Sequence, residues 1–273
     1  MCALCGLSPA ARFAEGIVTG VDPAFEGTPL AALDWGTRLD LPDGRLSVGF
    51  LPAGRTLDNV DLRGRTDPTA EPWQTLDFAA DERAAILEAL SVYETIIPVE
   101  IVEADDPDTA DFRLFKTEDL GAVGLMFPPV FPPNEDRAGL SGYDATAFDG
   151  SLAPGSFAFH VFQHEFGHGF GLDHPHETFG QSDVMAGVGG PRDAGLHALN
   201  QGVFTIMTYN EPWPEGPAGP SETFDHGWPM TPMAFAIAVL QAKYGANDTH
   251  AAGDDVYVLP RENAPGTGWV AIW

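Results

Sequence analysis

The stretch that decides the fold is Gln163-His164-Glu165-Phe166-Gly167-His168-Gly169-Phe170-Gly171-Leu172-Asp173-His174. It has the form H-E-x-x-H-x-x-G-x-x-H. On a helix, His164 and His168 project from one face because they are four positions apart, so both rings can reach one ion. Gly171 can adopt a positive φ and turn the chain, so that His174 returns as a third ligand. Three neutral nitrogens and one water make a zinc site with an open position.

Glu165 follows the first histidine, where its carboxylate can hold a water bound to the ion without being a ligand itself. The shorter pattern H-E-x-x-H is weak evidence, because two solvated histidines on a surface helix also produce it. Gly171 and His174 stand at the offsets that a third ligand requires. These offsets favour a metal centre over a coincidence.

The composition excludes several classes of partner. Among 273 residues, 40 are acidic and 13 are basic, which gives a net charge of −27. Such a field repels phosphates and argues against nucleic acid or an anionic membrane as partner. No apolar run approaches the roughly 20 residues that span a bilayer. The first residues lack the basic and then apolar layout of a secretory signal peptide.

Cys2 and Cys5 are the two cysteines, so no disulfide framework is expected. Their C-x-x-C spacing has four interpretations: a reduced tail, a local disulfide, half of a metal knuckle, or a thiolate that caps the zinc in a latent form. Thiolate is a strong zinc ligand, so latency through Cys2 or Cys5 stays open.

Hydrophobic periodicity outlines the elements around the motif. Residues 1–27 are small and interrupted by proline and glycine, which is typical of a leader or short pro-segment. The clearest helix runs from Asp81 to about Glu94, and the active-site helix begins near Ser156 and runs through Gly169. Short alternating segments predict strands at 45–50, 99–102, 111–115 and 124–128.

The extended histidine motif resembles the metzincin zinc peptidases, and within them the serralysin branch of bacterial, RTX-linked metalloproteases. The segment Phe204-Thr205-Ile206-Met207-Thr208-Tyr209 carries the narrower resemblance. It implies a tight turn with Met207 beneath the zinc, and Tyr209 as a neutral hydrogen-bond donor to the oxyanion. The family has serine where this chain has Thr205 and Thr208, and either hydroxyl can serve the turn.

A third segment resembles the helix by which serralysins leave the catalytic domain for their calcium-binding β-roll. It runs from Met233 to Asn247 and ends in Leu-Gln-x-x-Tyr-Gly-Ala-Asn, before Gly253-Asp254-Asp255-Val256-Tyr257. No G-G-x-G-x-D repeat follows. The resemblance is therefore compatible with calcium in a longer form, and we do not expect calcium at full occupancy here.

The resemblance implies an α+β metzincin, or zincin-like, catalytic domain with a twisted, mostly parallel sheet, an active-site helix and a C-terminal subdomain. The expected division is a leader at 1–27, the catalytic domain at 28–250, and the start of a truncated β-roll at 251–273. The implied activity is zinc-dependent endopeptidase. Zinc is held by His164, His168 and His174, Glu165 is the general base and Tyr209 assists. Protein or peptide substrates, a monomer and an extracellular location follow from the same resemblance.

Two alternatives remain: a latent form blocked by its own N-terminal segment, and a zinc-binding pseudo-protease that acts as an interaction module. His160 is one turn before His164, but a fourth histidine would fill the position that water needs. We expect a packed or supporting histidine there. For His176, His197 and His226, solvated or structural roles are expected.

Overall fold

The structure is a computed structural model. It describes residues 16–59, 70–129, 137–178, 180–214, 216, 221, 223–258 and 260–273. Cys2 and Cys5 lie outside the described residues, as does most of the proline-rich stretch after Pro128. The hypothesis of latency through a cysteine thiolate therefore remains a prediction.

A five-stranded sheet forms the centre of the described chain, in the order β6 (Glu100–Glu103), β3 (Arg45–Phe50), β7 (Phe112–Thr117), β9 (Leu140–Asp144) and β8 (Gly124–Met126). Neighbouring strands are parallel except for the edge strand β8, which runs antiparallel to β9. The predicted mostly parallel sheet is thus confirmed. In chain order the strands are β1 Gly16–Val18, β2 Thr37–Leu39, β3 Arg45–Phe50, β4 Thr56–Leu57, β5 Trp73–Gln74, β6 Glu100–Glu103, β7 Phe112–Thr117, β8 Gly124–Met126 and β9 Leu140–Asp144.

Helix α1, Ala80–Ile96, extends the predicted helix by one residue at its start and two at its end. The Glu82 carboxylate accepts a hydrogen bond from the backbone N–H of Ala79 at 2.7 Å, and acidic side chains suit the positive end of a helix. Pro98 follows the helix and prevents its continuation. The Tyr93 hydroxyl donates to the carbonyl of Gln163 at 2.6 Å, which ties α1 to the helix of the histidine motif.

Helix α2, Phe157–Gly169, is the predicted active-site helix. The Ser156 hydroxyl caps its first turn by accepting from the N–H of Phe159 at 3.1 Å. The helix is buried almost throughout, and its polar side chains His164, Glu165 and His168 line a cavity. At Gly169 a side chain would collide with Met126 and Phe112, so glycine allows α2 to lie close against the sheet.

Two apolar clusters hold these layers together. The larger one lies between the sheet and helices α1, α2 and α3, the last of which is Met233–Tyr244. The smaller one lies on the other side, where Trp73 packs against Phe115 beneath the β4–β5 ribbon. No helix in the described ranges has both the length and the apolar character to cross a membrane.

Residues 16–27, which the sequence assigns to a leader, pack here against the rest of the described chain. Strand β1 pairs with β2, and Phe25 lies in the larger core. The N–H of Asp22 donates to the carboxylate of Asp34 at 2.9 Å. This part of the predicted leader therefore shares the hydrophobic core with the segment after residue 27.

The last described residues also lie against the domain. The chain at Trp269 runs beside Pro229 as a single parallel bridge, and Trp269 packs edge-on against Trp213. Several apolar side chains before this point are exposed, including Val256 and Val258. The predicted start of a β-roll at 251–273 remains a prediction.

Candidate metal centre

His164 and His168 lie on one face of α2, as their spacing predicts. Both are buried, and their ring centroids are 5.0 Å apart. The helix ends after Gly169, and Gly171 has a φ of +86°. The chain then turns so that the N–H of Trp35 donates to the Gly171 carbonyl at 3.1 Å. This turn delivers His174 to the two helix rings.

The three rings converge through their Nε2 atoms. Nε2 of His174 lies 3.0 Å from Nε2 of His164 and 3.0 Å from Nε2 of His168. In a tetrahedral zinc site, metal–nitrogen bonds of about 2.0–2.1 Å put neighbouring ligand nitrogens about 3.3 Å apart. The spacing of the histidine triad therefore fits a zinc ion.

The other ring nitrogens show which tautomer is present. Nδ1 of His164 is 2.8 Å from the Ile206 carbonyl, and Nδ1 of His168 is 3.0 Å from the Leu172 carbonyl. A carbonyl only accepts, so each Nδ1 carries the proton and each Nε2 presents a lone pair. Lone pairs that face one another at 3.0 Å repel, and a shared cation removes that repulsion.

The triad is neutral, which is the form that binds a metal. Burial, followed by repulsion from the neighbouring imidazoles, holds the pKa of His164 well below its usual range. Burial lowers the pKa of His168 to about 3, and it also lowers the pKa of His174. No proton competes with a cation for these nitrogens near neutral pH.

Glu165 lies at the floor of the cleft between α2 and the edge strand. It is 5% exposed, and a Cβ atom placed on Gly124 would stand 2.6 Å from its Oε1. Glycine in β8 therefore makes room for this carboxylate. Burial raises the pKa of Glu165 to about 8, and a divalent cation at the triad would act in the opposite direction.

Met207 packs against helix α2 at Gly167. Its side chain is fully buried, and a Cβ atom on Gly167 would meet its sulfur at 2.6 Å. The hydroxyl of Thr205 accepts from the N–H of Met207, and that of Thr208 accepts from the N–H of Asn210. The two threonines thus supply the hydroxyls that this turn uses.

Tyr209 stands beside the triad and is 40% exposed. Its ring centroid is 4.6 Å from that of His174 and 5.8 Å from that of His164. Burial of the hydroxyl, followed by the charge of Glu165, raises the pKa of Tyr209 above its usual range. The phenol is therefore protonated and can donate a hydrogen bond at the mouth of the site.

Glu177 contacts the triad, a role that the sequence analysis does not predict. Its Oε2 lies 3.0 Å from Nδ1 of His174, so a carboxylate orients the third ring where carbonyls orient the other two. Although burial opposes it, hydrogen bonding to His174 and His176 lowers the pKa of Glu177 to about 2. The sequence signal for this role is an acidic residue three positions after the third histidine, close enough to reach its ring.

The remaining histidines differ in their surroundings. The His176 ring stacks on His174 at 5.0 Å and packs against Tyr209 at 4.7 Å, so it is structural rather than solvated. His160 packs against Trp228 at 5.3 Å, and burial lowers its pKa to about 3. The described residues contain two clusters that could hold a metal ion, the triad and the group of His174, His176 and Glu177, and neither includes His197 or His226.

A cleft passes over the triad. One cavity of about 560 Å³ is lined by aromatic side chains such as Phe157 and Trp228. A second, of about 360 Å³, lies along β8 and the turn that carries His174. Both are lined by His164 and Glu165, so the two cavities meet at the histidine triad.

Comparison with known proteins supplies relatives but no matching family model. The chain is 25% identical over 195 residues to a serralysin of Photorhabdus laumondii, which covers 70% of this chain and 39% of the relative. It is 36% identical over 138 residues to serralysin C of Dickeya chrysanthemi, covering 49% of this chain and 26% of the relative. It is 34% identical over 107 residues to metalloprotease AprA of Pseudomonas entomophila, covering 38% of this chain and 20% of the relative. The chain spans about two fifths or less of the length of these relatives.

Proposed function

We propose that this chain is the catalytic part of a zinc-dependent endopeptidase of the serralysin type. The observation that carries the proposal is the convergence of three neutral imidazoles, each with its outer nitrogen bound to an acceptor. The serralysin relatives support the same chemistry. Protein or peptide substrates and an extracellular location are part of the proposal.

When bound, a zinc ion supplies Lewis acidity: it makes water a stronger acid and polarises a carbonyl. His164, His168 and His174 would hold it, and the pairing of each Nδ1 fixes the direction of the ligand lone pair. Met207 supports the helix from below, which keeps the two helix rings in place.

Glu165 acts as general base and then as general acid. Its carboxylate takes a proton from the attacking water and returns the proton to the amine that leaves. The Tyr209 hydroxyl donates a hydrogen bond to the oxyanion that develops on the peptide carbonyl. Burial suits Glu165 to this exchange, because removal of bulk water strengthens its electrostatic interactions.

The test is Glu165→Gln, which keeps the shape of the side chain and removes the base. We expect one equivalent of bound zinc and a loss of peptide hydrolysis of about 10²–10⁴-fold. Glu118→Gln, at an exposed acid, is the matched control and should behave as the unaltered protein. Zinc content and cleavage of a quenched fluorescent peptide are measured with and without a chelator.

The same experiment separates the alternatives. Unimpaired hydrolysis by Glu165→Gln would refute the assigned base. Zinc binding without hydrolysis, even after the first 15 residues are removed, would favour a zinc-binding module that is not an enzyme. Hydrolysis that starts only after this removal would favour the latent form.

A further inference from the structure

The C-terminal end of helix α3 reaches the turn that carries the third histidine. The Tyr244 hydroxyl donates to the carbonyl of Phe170 at 2.9 Å and accepts from the N–H of Leu39 at 2.9 Å. The preceding side chain, Lys243, donates to the carbonyl of Thr37 at 2.9 Å and also binds Asp34. Two consecutive residues thus bind both the end of the active-site helix and the segment beside it.

That segment, residues 33–39, lies directly against the turn. The N–H of Asp173 donates to the Leu33 carbonyl at 3.0 Å, and Asp34 forms an antiparallel bridge with Leu172. A side chain at Gly171 would collide with the carbonyl oxygen of Thr37. The path from Gly171 to His174 is therefore set by the position of residues 33–39.

The contact between Lys243 and Asp34 is buried. The side chains of Lys243 and Asp34 are 5% and 2% exposed. Asp34 also accepts from the N–H groups of Gly36 and Asp22, each at 2.9 Å. A buried carboxylate with this many partners has one favoured position, so it fixes the backbone around it.

We propose that Tyr244 and Lys243 are positioning residues for the metal centre. They fix residues 33–39 and the Phe170 carbonyl, and through them the turn that aims Nε2 of His174 at the two helix rings. His164 and His168 need no such support, because the hydrogen bonds of α2 hold their backbone. The inference rests on the proposed zinc site and gives a function to the Tyr-Gly-Ala-Asn end of α3.

The test is Tyr244→Phe, which removes one hydroxyl and keeps the ring that packs against Phe170. Tyr257→Phe makes the same change at a side chain that is 51% exposed and serves as control. Zinc affinity is measured by competition with a chromophoric chelator, and ligand geometry by the visible spectrum of the cobalt-substituted protein. For Tyr244→Phe we expect about a tenfold loss of zinc affinity and an altered cobalt spectrum. Tyr257→Phe should change neither.

A second pair of variants addresses Lys243, where loss of the charge threatens folding. Lys243→Met should weaken zinc binding, and Lys243→Arg, which restores a cation opposite Asp34, should recover most of it. Unfolding in chelator reports stability separately from metal affinity. Folded Tyr244→Phe and Lys243→Met proteins with unchanged zinc affinity and cobalt spectrum would overturn the inference and leave the zinc site intact. Failure of the unaltered protein to bind zinc would overturn both.

Discussion

The three histidines of the candidate metal centre are held in two different ways. His164 and His168 belong to a buried helix, where backbone hydrogen bonds fix the chain and a spacing of four aligns the rings. His174 follows a turn held by residues 33–39 and, through them, by α3. Local order secures the first two ligands, and contacts distant in the sequence secure the third.

The hydrogen-bond acceptors of the three Nδ1 atoms differ in the same way. On the helix pair they bind backbone carbonyls, which no substitution at Ile206 or Leu172 removes. On His174 the acceptor is a side chain, Glu177, that a substitution can alter. The third ligand is therefore the one most sensitive to changes elsewhere in the chain.

Removal of a ligand should have the largest effect and tests the comparison directly. His168→Ala and His174→Ala should each lower zinc affinity by roughly a hundred- to a thousandfold. Structural zinc sites with four ligands have binding free energies of about 10–16 kcal/mol, so one ligand contributes about a quarter of that. His174→Ala should be the less severe, because two rings on a rigid helix remain aligned. Zinc competition is the measurement, with the exposed His197→Ala as control. The reverse order would contradict the comparison.

A side chain at the turn should have the next largest effect. Gly171 and Gly245 have nearly equal φ angles, +86° and +84°, but only the first meets a neighbour, the Thr37 carbonyl. Gly245→Ala should cost about 1–3 kcal/mol, because residues other than glycine rarely adopt its combination of φ +84° and ψ 159°. Gly171→Ala adds the collision and should cost about 3 kcal/mol or more in free energy of unfolding. Denaturant unfolding in the presence of a chelator measures both free energies of unfolding. Equal losses in the two variants would show that residues 33–39 can move aside without a further cost.

Loss of the charge beside His174 should have the smallest effect. Glu177→Gln keeps an oxygen that can accept from Nδ1 but removes the carboxylate, so zinc affinity should fall by about tenfold. Asp183→Asn, at an exposed acid nearby, should leave the affinity unchanged. Unchanged affinity in Glu177→Gln would mean that the turn alone orients the third ring.

Local patterns in the sequence predict the parts of the molecule that local interactions form. Ser156 marks the start of α2 within one residue because a hydroxyl there caps the helix. Alternation locates β3, and a spacing of four places His164 and His168 on one face. Each of these features needs only neighbours along the chain.

The missed features depend on distant neighbours or short elements. Tyr244 meets Leu39 across 205 positions, and no periodicity records such a contact. Strand β1 has three residues, too few for alternation to indicate a strand. Glu177 stood near His174 in the sequence, but its role follows from the geometry of a turn that the pattern does not specify.

The span of the Tyr244 contacts has a consequence for biosynthesis. Tyr244 lies 74 positions after Phe170 and 205 positions after Leu39. During synthesis, all three histidines are therefore made before Tyr244 can form its hydrogen bonds to these two residues. Until then, the Phe170 carbonyl and the N–H of Leu39 lack the Tyr244 hydroxyl as a partner. The turn that carries His174 would thus gain these contacts only when nearly all of the described sequence has been made.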